Sequence, residues 1–141
     1  MKIDYSNFEF TQDERKYMLK ETERLQETHP GHVPVLIQLD SNILKMDKQK
    51  FLISDDINFN DYINNTLKKK LINLYNNDVL IINVVKFSGV QKLIELKAHP
   101  KQMRDVYNEY KDPETNLLIL RVARNTTYKW VKGYIGYLYG Y

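Results

Sequence analysis

Few residue types in this chain could carry out catalysis. It has no cysteine and three histidines among its 141 residues, which excludes thiol nucleophiles, disulfide bonds and thiolate zinc sites. His29 and His32 flank a Pro-Gly turn without a nearby carboxylate, whereas a zinc site needs three or four ligands. His99 precedes Pro100 and is interpreted as a loop residue. Any catalytic constellation would therefore have to be built from carboxylates alone, and no metal site is expected.

Three consecutive lysines, Lys68 to Lys70, could contact phosphate groups. The net charge of the chain is only +3, and nucleic-acid-binding surfaces usually carry several basic clusters that include arginines. A solvated helix face is therefore the favoured interpretation. Binding of nucleic acid through these lysines is the least favoured of the functional hypotheses, and no nucleic acid is expected among the partners.

The last twelve residues, Trp130 to Tyr141, have the most unusual composition in the chain. They contain five aromatic side chains, three glycines and no acidic residue. Glycines would keep such a segment extended, and Trp and Tyr side chains are suited to a membrane interface or to a protein groove. The alternative is a strand that adds to the sheet or self-associates.

The overall composition predicts a folded, cytosolic protein. The chain is 43% hydrophobic and 28% charged, as in ordinary globular domains. The first ten residues contain no apolar run of the kind that a signal peptide needs, and no stretch approaches the roughly 20 apolar residues of a membrane span.

The first element that must position any functional side chain is a helix from Thr11 to about Glu27. The sequence TQDE forms a capping box, in which the Thr11 hydroxyl accepts from the Glu14 amide while Glu14 reaches back. Tyr17, Met18 and Leu25 give a thin apolar stripe, so the helix is expected on a surface and not inside a core.

Strands and further helices follow in a recognisable order. Pro34, near the start of the first strand, indicates that this end lies at a sheet edge or begins the pairing. Within 86–99, Val90, Leu93, Ile94 and Leu96 have helical spacing, so this segment is expected to be a loop or an added helix. The predicted elements are strands at Val33–Leu39, Lys50–Ile53, Val79–Val85 and Leu117–Val122, a main core helix at Asn58–Leu74 and a short helix after Pro100.

This order of elements favours an α+β fold. The first two strands are expected to form a hairpin, and the last strand is expected to lie beside the first. The arrangement is that of a ubiquitin-like β-grasp with an N-terminal helical extension, although a split ferredoxin-like fold has similar element counts. The predicted organisation is an extension at 1–28, a β-grasp domain at 29–128 with an insertion at 86–99, and a tail at 129–141.

Four segments identify a family that the chain resembles. These are MKIDY, ETHPGHVPVLIQL, MDKQKFLISDDI and MRDVYNEYKDPETNLLIL. In order and spacing they resemble the autophagy ubiquitin-like modifiers, and the opening is similar to the GABA-A-receptor-associated branch. The resemblance covers about residues 1–85 and 100–128, and it implies a divergent member with an extended tail.

The resemblance implies a binding site for short peptides that contain an aromatic residue and, three positions along, an aliphatic one. Such peptides add as a strand to the edge at Lys50–Ile53. Lys48 and Lys50 are expected to meet acids of the ligand, and Tyr62 could exchange roles with Ile63. The first pocket would comprise Glu21, Leu25, Pro34, Leu36, Lys50 and Leu52, and the second Phe51, Ile53, Ile57, Tyr62 and Leu67.

The resemblance also implies conjugation to a lipid through a C-terminal glycine. The family has this glycine just after its last strand, where the present chain has Tyr128 or Lys129. Tyr139, Gly140 and Tyr141 repeat the family's ending about a dozen positions later. Gly140 is therefore the expected attachment residue, exposed when a protease removes Tyr141.

The resemblance implies a protein that is not an enzyme, with no catalytic residue and no cofactor. Two main functional hypotheses follow from it. The first is an autophagy modifier that is conjugated to phosphatidylethanolamine, recruits short-motif receptors and adaptors, and needs conjugation enzymes and a processing protease. It would be cytoplasmic and peripheral to autophagosomal or other vesicle membranes. The second is a diverged, unconjugated peptide-binding module whose tail packs on the domain or touches the membrane.

Overall fold

The computed structural model describes residues 2–40, 44–72, 74, 79–87, 92–96 and 101–124. The expectations for Val90, for His99 and for the tail at 129–141, with Gly140 and Tyr141, lie outside these residues.

A five-stranded mixed sheet and three helices form the described fold. The strands are β1 (His32–Leu39), β2 (Lys50–Ser54), β3 (Leu80–Lys86), β4 (Lys92–Leu96) and β5 (Leu118–Arg124). The helices are α1 (Gln12–Thr28), α2, which runs from Phe59–Asp61 through a π turn at Tyr62–Leu67 to Lys68–Lys70, and α3 (Met103–Tyr110).

The strand order is β2-β1-β5-β3-β4. β1 and β5 are parallel, and the other neighbouring pairs are antiparallel. The first two strands form a hairpin, whereas a helix joins the first two strands of a split βαβ unit. The predicted β-grasp topology, with the last strand beside the first, is therefore confirmed, and the ferredoxin-like alternative is wrong.

Helix α1 begins as predicted. Thr11 is its N-cap, and both hydrogen bonds of the capping box with Glu14 are present, at 3.1 Å and 2.9 Å. The helix does contribute to a core, because Met18 and Thr22 are buried against the sheet.

The main correction concerns the segment at 86–99. Residues 92–96 form strand β4, which pairs antiparallel with β3, so both the helix and the loop interpretation are wrong there. Leu93 and Ile94 are exposed on opposite faces of this edge strand, and apolar residues on both faces of a strand imitate helical spacing.

Two smaller corrections concern the main core helix and Pro34. Helix α2 ends at Lys70 and not at Leu74. Pro34 lies on an inner strand and not at an edge, but parallel pairing with β5 starts only at Val35, so the proline does mark where this pairing begins.

The two faces of the sheet bury different clusters. The main core lies under α2 and α3 and includes Phe59, Tyr62, Val106 and Leu120. The second core lies under α1 and the N-terminal segment and consists of Phe10, Met18, Leu36, Val85, Phe87, Leu117 and Ile119.

A polar group adjoins the second core. Arg121 is 6% exposed and donates to Gln38 Oε1 at 3.2 Å. Gln38 in turn donates to the Asn7 carbonyl at 2.9 Å, and the Phe8 ring stacks 4.0 Å from the guanidinium carbon. The N-terminal segment is therefore held to the sheet by hydrogen bonds and ring stacking around a buried cation.

A buried carboxylate joins the end of β3 to the turn before β5. Asp112 accepts from the Phe87 amide at 2.7 Å and from the amide and hydroxyl of Thr115 at 3.0 Å and 2.6 Å. Three such donors satisfy a buried anion well. Asp112 therefore fixes the turn from which β5 enters the centre of the sheet.

Candidate functional site

Strand β2 presents an unpaired edge in the described part of the chain. The Ile37 amide bonds to the Gln49 carbonyl at 2.8 Å, and the Asp55 amide to the Gly31 carbonyl at 2.9 Å. Because hydrogen-bonded and non-bonded pairs alternate in antiparallel strands, the backbone groups of Lys50 and Leu52 point away from β1. These groups can accept another strand.

A first pocket lies on the α1 face of this edge. Register places Leu52 opposite Pro34 and Lys50 opposite Leu36, so all four project to one face. A cavity of about 320 Å³ is lined there by Leu25, Pro34, Val35, Lys48, Lys50, Phe51, Leu52 and Leu117.

Four of the six residues predicted for the first pocket line this cavity: Leu25, Pro34, Lys50 and Leu52. Leu36 instead lies fully buried below them in the second core, because Phe10 and Met18 pack in the same cluster. Leu117 was missed by the sequence interpretation. Its only sequence signal is its place just before β5, next to the strand that carries Pro34.

Glu21, the sixth predicted residue, forms an ion pair with Lys50. The distance from Lys50 Nζ to Glu21 Oε1 is 2.6 Å. Lys50 Nζ also donates to the Tyr5 hydroxyl at 3.1 Å and lies 4.6 Å from the centre of the Tyr5 ring. The Tyr5 hydroxyl donates to Glu21 Oε2 at 3.3 Å. A polar triad of Tyr5, Glu21 and Lys50 therefore adjoins the first pocket, which Lys50 alone of the three lines.

The triad affects the ionisation of two of its members. Burial opposes the charged form of Lys50, but the hydrogen bonds to Glu21 and Tyr5 outweigh it, so the pKa of Lys50 is raised. Burial also raises the pKa of Tyr5, against the opposing effect of Lys50. Lys50 therefore stays charged at neutral pH, with Glu21 as its partner.

The residues predicted for the second pocket lie on the opposite, α2 side of β2. Ile53, Tyr62 and Leu67 are buried in the main core, with Tyr62 at 1% and Leu67 at 0% exposure. Phe51 is half-buried, and Ile57 is exposed. The structure does not bring these five residues together as an open pocket.

Tyr62 occupies the inward position for which Ile63 was the alternative. It begins the π turn, which takes up one extra residue relative to an α-helix. Its hydroxyl is buried without a hydrogen-bond partner in the described part of the chain. Burial raises the pKa of Tyr62 to about 12.

A second open cavity, of about 300 Å³, surrounds the exposed side of Phe51. Lys48 Nζ and Lys70 Nζ lie 5.6 Å and 5.2 Å from the centre of the Phe51 ring. We name this cavity the lysine cavity, and it is lined by Met46, Asp47, Lys48, Phe51, Lys69, Lys70 and Ile72. The sequence interpretation treated Lys69 and Lys70 as a solvated helix face, because their proximity to β2 depends on how α2 packs.

The two histidines that the structure describes, His29 and His32, do not belong to a metal-binding cluster. The rings of His29 and His32 are exposed and lie 6.4 Å apart, edge to face. Among the described residues, no group of three or more His, Asp or Glu side chains could hold a metal ion. No described helix is long and apolar enough to cross a membrane.

Comparisons with known proteins agree with this geometry. A family model described as "Autophagy protein Atg8 ubiquitin like" matches residues 17–128. The crystal structure of Trypanosoma brucei ATG8 is similar, with a TM-score of 0.62 and 21% sequence identity over 88% of this chain and 97% of that chain. No curated protein sequence matches the chain.

Proposed function

This chain belongs to the Atg8 family of ubiquitin-like autophagy proteins, and from this premise we propose that it binds short receptor peptides along β2 and is conjugated to phosphatidylethanolamine through Gly140. The peptides would carry an aromatic residue and, three positions along, an aliphatic one. The observation that carries the proposal is the coincidence of the unpaired β2 edge with the first pocket.

Strand addition would supply affinity, and the first pocket would supply specificity. The outward backbone groups of Lys50 and Leu52 would bond to the peptide, while the aromatic side chain of the peptide enters between Leu25, Pro34 and Leu52. Burying such a side chain stabilises a complex by about 1.5–3 kcal/mol. The anchor would therefore account for much of the affinity of a short motif.

The aliphatic residue would project toward the α2 face, near Phe51 and Ile57. Ile53, Tyr62 and Leu67 would contribute from below if the main core opens at this point. The exposed Lys48 would attract acids of the receptor. Lys50 was expected to share that role, but it already has Glu21 as its partner.

Peptide titration against full-length protein tests the binding site. We expect Leu52→Ala and Leu25→Ala to weaken binding of an aromatic-x-x-aliphatic peptide about tenfold, since each removes part of the pocket wall. Leu93→Ala, on the opposite edge of the sheet, is the matched control. Equal affinities for all four proteins would refute the site.

Conjugation through Gly140 rests on the family's aromatic-glycine ending, which recurs at the end of this chain. The test is mass spectrometry of the chain after incubation with the family's processing protease, conjugation enzymes and phosphatidylethanolamine vesicles. We expect loss of Tyr141 and addition of one lipid, both absent in Gly140→Ala and kept in Gly136→Ala. A chain that retains Tyr141 would support the unconjugated binding module instead. The absence of the family's glycine just after the last strand also favours that module.

Membrane attachment by this route would place the protein in the cytoplasm, on the surface of autophagosomal or other vesicles. Its partners would then be receptors and adaptors with short motifs. Cosedimentation with vesicles before and after conjugation separates attachment through the lipid from direct contact of the aromatic tail with the bilayer. The conjugated form alone should sediment if the lipid provides the anchor.

A further inference from the structure

Strand β4 forms the second edge of the sheet, and no other described strand pairs with its outer side. Leu93 is 53% exposed and Ile94 is 37% exposed, and the pairing with β3 places them on opposite faces. An edge strand with apolar side chains on both faces is a template for a further strand, and proteins usually cover or charge such an edge. The edge of β4 therefore calls for a segment that covers it.

The main face of the sheet also has an open space at this edge. A cavity of about 220 Å³ lies between α2 and the strands β3 and β4, and Ile63, Leu80 and Leu96 are among the residues that line it. On a strand added beside β4, the side chain opposite Leu96 would project to the same face as this cavity. The edge therefore fits a strand with an apolar residue at that position.

Strand β5 ends at the same end of the sheet as β4. Arg124, its last residue, pairs with Leu80 at the start of β3, and Val122 is level with Ile82 and Leu96. Strands β5 and β4 are both antiparallel to β3, so they run in the same direction. A segment that turns back after Arg124 would therefore run antiparallel to β4.

The chain after Arg124 is long enough to reach the outer side of β4. Residues 125–141 lie outside the described part of the structure. Three strand spacings and an offset of two residues separate Arg124 from a position opposite Leu96, which is about 16 Å in all. An extended chain spans at most about 3.6 Å per residue, so the crossing needs about five residues. Residues 125–130 suffice for the crossing, and the rest can pair.

One register of the remaining residues complements β4 in charge. Lys132 opposite the exposed Glu95 would form a cross-strand ion pair. The other lysine of this segment, Lys129, would require Tyr128 opposite Leu96. Four residues after Arg124 reach at most about 14 Å, which is too short for that position. Chain length therefore selects Lys132.

The same register also complements β4 in its apolar side chains. Because paired antiparallel strands run in opposite directions, Val131 lies opposite Leu96, and Tyr134 lies opposite Leu93. Val131 then projects to the face of the cavity, and Tyr134 covers the more exposed of the two apolar residues of this edge.

We propose that residues 131–135 add to the outer side of β4 as a sixth, antiparallel strand, with Lys132 opposite Glu95. The occupant of this edge is thus the chain's own C-terminal segment, whose valine, tyrosine and isoleucine are strand-favouring residues. Residues 136–141, which include Gly140, extend beyond the paired segment. The inference goes beyond the proposed peptide binding at β2 and is compatible with conjugation through Gly140.

Cysteine pairs test the register, since the chain has no cysteine of its own. Glu95→Cys with Lys132→Cys, and Ile94→Cys with Gly133→Cys, place two thiols directly opposite each other. One of these pairs is of the non-hydrogen-bonded type, whose side chains are closer. The control is Glu95→Cys with Val131→Cys, because these side chains would project to opposite faces.

Mild oxidation of the full-length variants is followed by size-exclusion chromatography and mass spectrometry. We expect at least one of the two opposite pairs to form a disulfide within a monomer. The control pair should form at least tenfold less of it under the same conditions.

Limited chymotrypsin digestion tests the pairing in a chain without cysteines. We expect Lys132→Glu to speed cleavage after Tyr134 about threefold to tenfold, because like charges directly opposite destabilise strand pairing. Combining it with Glu95→Lys should restore slow cleavage, since the swapped charges attract again. Lys129→Glu is the matched control and should leave the rate unchanged, because residue 129 lies in the crossing segment.

Any of three results would overturn the inference. These are a lack of disulfide in both opposite pairs, disulfides that link two copies of the chain and assign the edge to a second copy, and equal cleavage rates in Lys132→Glu and the unchanged protein. Peptide affinity at β2 should be the same in all the charge variants. The inference can therefore fail while the proposed function stands, and a protein that binds no peptide leaves this test intact.

Discussion

The two faces of the sheet carry out different tasks with different residues. The main core is apolar apart from buried tyrosines and is closed by two helices. The second core is smaller and adjoins buried or half-buried polar groups, among them Gln38, Arg121 and the triad of Tyr5, Glu21 and Lys50. The comparison indicates that the main core supplies most of the stability, whereas polar contacts on the second face shape the first pocket.

The largest expected effect tests this division directly on β5. Leu120 and Ile119 are adjacent and both fully buried, but Leu120 packs in the main core and Ile119 in the second. We expect Leu120→Ala to lower the free energy of unfolding by about 3–5 kcal/mol, and Ile119→Ala by about 2–3 kcal/mol. The expected loss is smaller for Ile119→Ala because the N-terminal segment can collapse more easily into the space that the removed side chain leaves.

Chemical denaturation of both variants measures the difference. The same experiment with Leu52→Ala shows whether a first-pocket residue at the sheet edge costs less than either buried residue. Equal losses of unfolding free energy in Leu120→Ala and Ile119→Ala would mean that the second core is packed as rigidly as the main core. The proposed difference between the two faces would then be wrong.

The next effect concerns alkaline pH and Tyr62 in the main core. Its pKa is raised from 10.0 to about 12 by burial. Between these values the unfolded chain releases the proton while the folded chain retains it, so stability falls as pH rises. The total loss is about 2–3 kcal/mol, and it is complete only above pH 12, where the folded chain has also released the proton.

Tyr62→Phe should abolish this part of the pH dependence. It should also leave stability at neutral pH unchanged or slightly higher, because it removes a hydroxyl that lacks a partner among the described residues. Urea unfolding at pH 7 and at two alkaline values checks both expectations, with the exposed Tyr17→Phe as control. An alkaline loss of equal size in Tyr62→Phe and the unchanged protein would disprove the assignment.

A smaller effect belongs to the ion pair on the second face. Glu21 and Lys50 are partly shielded from solvent, so a double-mutant cycle with Glu21→Gln and Lys50→Met should give a coupling energy of about 1 kcal/mol that decreases with salt. Because the pKa of Lys50 is raised, this stabilisation is complete below its ordinary pKa and is lost as pH rises through the raised value.

The same variants also test whether the ion pair on the second face contributes to peptide binding. Loss of the pair should change peptide affinity more than its small effect on stability implies, because Lys50 lines the first pocket. A coupling energy near zero, together with unchanged peptide binding, would show that the triad does not shape the pocket.

The sequence predicted most of the fold because its signals were local. The capping box at Thr11 specifies the start of α1, and alternation within KFLI correctly placed Leu52 and Phe51 on opposite faces of β2. The six residues of the first pocket were instead carried over from the family resemblance, and four of them line the cavity at this edge. Leu36 does not line this cavity because it is buried in the second core, and that burial depends on the distant N-terminal segment.

The errors came from structure that no local pattern specifies. Strand β4 exists because it pairs with β3, a partner that the spacing of Leu93 and Ile94 does not reveal. Four apolar residues recur every four positions from Phe59 in α2 to Leu71 just after it, and each such step advances about 40° too far on an α-helix. The π turn at Tyr62–Leu67 instead bonds residues five apart, which puts Tyr62 and Leu67 on the same face, and both are buried in the main core.

The smallest predicted effect lies at the edge strand β4, where substitutions on the two faces should lower the free energy of unfolding by similar amounts. Leu93 is 53% exposed on the second face, and Ile94 is 37% exposed on the main face. Because neither side chain is fully removed from water, Leu93→Ala and Ile94→Ala should each cost less than about 1 kcal/mol and leave peptide affinity unchanged. A loss above about 2 kcal/mol for Ile94→Ala alone would show that the main core, which already includes Leu96 of β4, also encloses Ile94, since only a closed cavity makes a single aliphatic truncation that costly.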